Sequence, residues 1–189
     1  ARAPSGGARR AMVSPAPRAP LHPALLCGAY AVAHADRGLV SGLLLPLRAH
    51  FGLDTAQGGL LGSATTSGLM VGQLACGLAS RAVDVPCALA VSFLGLAAAA
   101  YGLAAAAGLP WLLACRAAAG LGEAVLLTLA LPLIDDAAPH GWRSFCSGVF
   151  LSMPYVGEAA GVVLTAATPS WQGGRFFFAG EGVVWVLLA

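Results

Sequence analysis

Apolar residues run along this chain in six long blocks separated by short polar breaks. The first spans about 24–47 and carries polar residues at its centre, the second about 58–79, and the third about 86–107, almost free of polar side chains. The fourth runs from 110 to 134 and the fifth from 145 to 167. The sixth begins near Phe176 and stops at Ala189, 14 residues in all. A helix needs about 20 apolar residues to cross a hydrocarbon core of about 30 Å. The pattern therefore predicts helices over 24–47, 58–80, 86–108, 110–134, 144–168 and 175–189. The expected architecture is an all-α, multi-pass membrane protein with six transmembrane helices over residues 21–189, the sixth truncated.

Composition strengthens that picture. Hydrophobic residues make up 58% of the chain and charged residues 10%, where a soluble domain carries about 25% charge. So few charges cannot cover a soluble surface. Residues 1–20 differ from the rest, being rich in Ala, Pro, Gly and Arg, and are expected to be disordered. A basic cytoplasmic tail is the favoured reading, and the remnant of a transit peptide is the alternative.

The charged residues exclude several chemistries. All ten basic residues are arginines. Without lysine there is no Walker A phosphate loop and no pyridoxal or retinal Schiff base. The net charge of +2 gives no nucleic-acid surface. No GxSxG, no HExxH and no histidine pair at ligand spacing occurs, so neither an enzyme, a metal site nor a cofactor is expected. The closest two of the five cysteines are 11 residues apart, and they read as small hydrophobes.

Short breaks make successive helices antiparallel neighbours. With the N-terminus in the cytoplasm, Arg2, Arg9, Arg10, Arg18, Arg81 and Arg143 lie inside, and Arg48 and Arg175 outside. Six against two satisfies the positive-inside rule. The second block holds a seam of small residues at Ala64, Gly68, Gly72 and Cys76, and the fifth has Gly157 and Gly161 at the same spacing. Steps of four keep such residues on one helix face, where two backbones can approach closely in lipid.

Ionisable groups at membrane depth are costly and mark partners or a wet cavity. The first block holds His34, Asp36 and Arg37, the fourth Arg116 and Glu123, the fifth Glu158 and the sixth Glu181. His34, Arg37 and Ser41 share one stripe, and Asp36 points about 100° away from Arg37. Arg116, Gly120 and Glu123 share another stripe, with Gly120 expected to leave space between the charges. Two readings stand. In the favoured one, a polar cavity lets Asp36 or Glu123 take up and release a proton. In the other, a buried ion pair such as Arg37 with Glu123 only ties helices together.

The order of motifs resembles the N-terminal half of a major facilitator superfamily transporter, within it the spinster-like group. Asp36-Arg37 looks like the family's D-R in helix 1, and Phe51 to Ala64 is similar to its lead-in to helix 2. Leu78 to Arg81 sits where the superfamily has its L-A-D-R loop. Arg116 to Ala124 (RAAAGLGEA) looks like the helix 4 motif R-x-x-x-G-x-G-E-A, the most specific match. Met153 to Gly161 resembles the helix 5 P-x-x-G-x-x-x-G, and Trp171 to Gly180 the W-x-x-x-F-x-x-x-G before helix 6. Ser80 replaces the loop aspartate, and Glu158 and Glu181 stand where the family is uncharged.

The resemblance implies alternating access, in which two halves rock around a midplane site. Spinster-like proteins are associated with lipids such as sphingosine 1-phosphate and lysophospholipids, with proton coupling proposed in bacterial relatives. By resemblance, Asp36, Arg37, Arg116 and Glu123 are the coupling and cavity candidates, and Arg81 belongs to the gating loop. The expected partners are a small-molecule or lipid substrate, the bilayer, and a missing C-terminal half or a second copy. The alternative function is a non-transporting membrane subunit or an inactive transporter fragment.

Overall fold

The computed structural model describes residues 23–79, 84–167 and 170–189, so the expected tail and Arg81 lie outside it. Among the described residues every regular element is an α-helix. In chain order they are α1 (Pro23–Gly42), α2 (Leu44–Phe51), α3 (Thr55–Ala79), α4 (Val85–Ala104), α5 (Leu109–Ala137), α6 (Arg143–Ala167) and α7 (Trp171–Leu188).

Local chemistry sets the boundaries. The first block divides into α1 and α2 around Leu43. Pro46 has no N–H to return to the Gly42 carbonyl, which weakens the helix one turn earlier. α2 ends at Gly52, whose φ of 65° is the left-handed cap that glycine accepts without strain. α3 opens on a reciprocal cap: the Asp54 carboxylate accepts from the Gln57 N–H at 2.6 Å, and the Gln57 amide oxygen accepts from the Asp54 N–H at 3.0 Å. α7 begins at Trp171, ahead of the start at 175 expected from sequence, because Ser170 caps it by accepting from the Gly173 N–H at 3.2 Å. The polar Gln172, Gly173 and Arg175 hide that first turn from a reading based on apolar runs.

By length and composition, α4, α5 and α6 are able to cross a membrane. That is three helices among the described residues, where six spans are expected from sequence. α1 falls short through His34, Asp36 and Arg37, α3 through its Gly, Ser and Thr content, and α7 through Arg175 and Glu181.

α1 packs along α6, α3 along α5, and α4 against both α5 and α7. Both long pairings are backbone contacts made through glycine. A Cβ on Gly157 would strike the Ala31 carbonyl, and one on Gly161 would stand 2.8 Å from the Leu39 nitrogen. Opposite them, a Cβ on Gly38 would strike the Glu158 carbonyl. The α3–α5 seam repeats the device with Gly68 against the Ala117 carbonyl and Gly72 against Ala124. The face of α3 that is buried is Gly58, Leu61, Thr65, Gly68 and Gly72; Ala64 and Cys76 lie at its margin. Gly120 leaves no room for charges. Its open side is filled by α3, where a Cβ would meet the Thr65 carbonyl and stand 2.7 Å from the Leu69 nitrogen.

Substituting Gly157 or Gly161 by Ala therefore forces α6 off α1, at a cost of about 1–3 kcal/mol each. Gly148, also on α6, has nothing within 4 Å of its Cβ position. Thermal unfolding in detergent should separate them, with Gly148→Ala behaving as the parent and the other two melting earlier.

The outer faces are apolar. α3 exposes Met70, Val71, Leu74 and Leu78, and α6 exposes Leu151, Tyr155, Val156 and Val163. The five cysteines are unpaired.

Candidate functional site: a charged cavity between helices

The fourth turn of α1 places Asp36 and Arg37 side by side in the chain and about 100° apart around the axis. Both reach α5, but at different heights. Arg116 Nη1 donates to Asp36 Oδ2. Arg37 grips Glu123 with two donors, its Nε–H meeting Oε1 at 3.3 Å and its Nη2–H meeting Oε2. Arg116 and Glu123 are two turns apart on α5, about 10 Å along its axis. The two acids and two bases thus form crossed ion pairs between the same two helices. The four candidate residues are brought together, and the pair named in the structural reading, Arg37 with Glu123, is present.

Burial is uneven. Asp36, Arg116 and Glu123 are 4%, 2% and 1% exposed. Arg37 keeps 25% of its side-chain surface open. That opening is a cavity of about 350 Å³, walled by Arg37 and Ser41 of α1, Thr65 and Thr66 of α3, Arg116 of α5 and Glu158 of α6. Five helices contribute to it, α2 through Leu44, and its wall mixes charged and hydroxyl groups with aliphatic side chains and glycines. His34 takes no part. Its ring is buried, with Nδ1–H donating to the Tyr30 carbonyl at 3.1 Å, and Tyr30 stacks on Phe150. No group of three or more metal-ligating side chains occurs among the described residues.

Sequence reasoning missed Ser92 altogether, and for Glu181 it missed the neighbour. Ser92, in the almost wholly apolar α4, is buried and donates to the Gly122 carbonyl at 2.8 Å, fixing α4 beside Glu123. Glu181 comes to rest beside Asp36, on the wall of the same small void. Its sequence signal is only that it is an acid in an apolar block.

The sequence profile of the Major Facilitator Superfamily matches residues 26–189. The chain is 29% identical over 170 residues to the "Sodium-dependent phosphate transport protein 1, chloroplastic" of Arabidopsis thaliana, covering 87% of this chain and 33% of that protein. It is 30% identical over 166 residues to the "Probable anion transporter 1, chloroplastic" of Oryza sativa subsp. japonica, covering 85% and 31%. It is 29% identical over 153 residues to the "Probable sphingolipid transporter spinster homolog 3" of Arabidopsis thaliana, covering 79% and 28%. The chain thus spans about a third of the length of the curated relatives it matches.

Proposed function

The chain belongs to the Major Facilitator Superfamily, and we propose that it is the N-terminal six-helix half of a longer transporter that moves a small organic or lipid-like solute by alternating access, coupled to protons. The observation that carries this reading is the pair of crossed ion pairs whose arginines, Arg37 and Arg116, line a cavity with hydroxyl and charged groups on its wall. A single structural clamp would need one buried pair. Here a second acid–base pair stands beside it with its arginine open to the cavity.

Arg37 is the substrate-facing group. Its planar fork of donors suits a phosphate or carboxylate head group. If the head group takes donors from Arg37, Glu123 loses its partner. Low dielectric favours a neutral carboxyl and a nearby guanidinium favours the carboxylate. A carboxyl that alternates between paired and unpaired states therefore takes up and releases a proton as the conformation changes. Asp36 and Glu123 are the two groups placed to do so. The exposed apolar faces of α3 and α6 would pack on the C-terminal half or a second copy. The names of the relatives favour transport over a non-transporting subunit.

The test uses the full-length protein in liposomes with an acid exterior. Radiolabelled inorganic phosphate and sphingosine 1-phosphate are offered separately. Accumulation of one of them that a protonophore collapses is the expected result. Accumulation of neither contradicts the reading.

The same reading places the N-terminus in the cytoplasm, by the arginine count. In a background without the native cysteines, His140→Cys should react with a membrane-impermeant thiol reagent only from inside, and Ala107→Cys only from outside. The opposite pattern inverts the topology.

A further inference from the structure

The crossed pairs balance four charges, and Glu181 is a fifth. It sits on α7, one helix behind the cluster, and is partly buried. Its carboxyl is enclosed. Oε1 accepts from the Trp185 Nε1–H at 3.0 Å, and Oε2 is buried without a partner. Asp36 is in the same position from the other side. Oδ2 is held by Arg116, and Oδ1 is buried without a partner.

Asp36 and Glu181 both line one void of about 10 Å³ between α1, α4, α5 and α7. That is near the lower limit for a single water molecule. The rest of its wall is apolar, from Leu96, Ala100 and Leu103 of α4 and two alanines. No basic residue lines it.

The groups facing this void from each packed helix decide its charge. From α1 comes Asp36, with Arg37 beyond it turned to Glu123. From α5 come Arg116 and Glu123, each already matched to one charge. α4 contributes no charged residue, and its Tyr101 ring lies one residue along, against Gly182. α2 meets α7 at Trp171, where His50 lies, ten residues or about 15 Å from Glu181. Arg37 and Arg116 thus each already face one carboxylate, although the Arg116 Nε–H is itself buried without a partner. Three acids, Asp36, Glu123 and Glu181, stand against two arginines, so Glu181 is left without a countercharge, and a buried carboxyl without one is stable in its protonated, neutral form.

We propose that Glu181 and Asp36 hold a proton between them, directly or through one water, as a second proton site on the α7 side of α1. This rests on the proton-coupled reading above and extends it. Asp36 then belongs to two networks. Through Oδ2 it answers to Arg116 and the cavity, and through Oδ1 to Glu181 in a compartment closed to substrate. A proton released when the cavity pairs rearrange has Glu181 as its reservoir, and α7 feels the change.

Infrared spectroscopy of the full-length protein in liposomes reads this without any transport assay, so its outcome is separate from that of the coupling reading. At neutral pH the parent should show the carbonyl band of a protonated carboxyl, and Glu181→Gln should lose it. Asp36→Asn should keep the band at a shifted frequency, since the acceptor of the proton has changed from carboxylate to amide. Glu181→Asp serves should the glutamine variant fail to fold, and it should keep a displaced band. An unchanged band in Glu181→Gln overturns the proposal, as does a parent spectrum with no such band.

Discussion

Replacing Arg116 by Met should be among the most damaging single changes in the chain. Arg116 is 2% exposed and is the hydrogen-bonding partner of a buried Asp36. Its removal leaves a carboxylate in a dry interior with no compensating charge, at a cost of about 3–5 kcal/mol. The same physics predicts a rescue. Changing Asp36 to Leu at the same time removes the orphaned charge and fills the gap with apolar volume, so the double variant should recover most of the lost stability. Thermal unfolding in detergent of the two single variants and the double variant measures this. A double variant as unstable as the sum of its parts would mean that the pair is not the source of the cost.

Function should respond in the opposite way. Asp36→Asn and Glu123→Gln keep shape and hydrogen-bonding capacity but cannot load and release a proton. In the full-length transporter each should lower uptake driven by a pH gradient by at least about tenfold, roughly 1.4 kcal/mol or more. Exchange of labelled for unlabelled substrate, which needs no net proton movement, should survive. The stable Asp36→Leu, Arg116→Met double variant should also lack gradient-driven uptake, because the pair is present for cycling rather than for stability. Gradient-driven uptake at the parent's rate in both amide variants would leave the pairs a structural role alone.

Much of this was legible in the chain. The small-residue steps at Gly68, Gly72, Gly157 and Gly161 mark faces by a periodicity that the α-helix itself imposes, and the structure sets all four against neighbouring backbone or side chains. The acids and bases stood out because charge at membrane depth is expensive. What the sequence withheld was partnership. Asp36 lies 80 residues from Arg116, and Arg37 lies 86 from Glu123. Which acid takes which base depends on how far α1 is rotated and shifted against α5. That depends on how α1 packs on α6 through its glycine contacts and on its direct contact with α5. Gly120 shows the same limit. Its spacing between Arg116 and Glu123 suggests room for charge, and only the docking of α3 shows that the room is taken. Glu181 meets Asp36 because α7 folds back over α4, a relation with no local signature. The start of α7 was obscured for a simpler reason: a serine cap and a polar first turn look like loop until their hydrogen bond is seen.

The crossed pairs should move protons in step with substrate. A pH-sensitive dye sealed inside liposomes containing the full-length protein tests it, with no gradient imposed at the start. Adding substrate outside to the parent should change the interior pH as substrate enters. Glu123→Gln should carry out exchange yet leave the dye silent. A Glu123→Gln protein that moves as many protons per substrate as its parent would contradict the account.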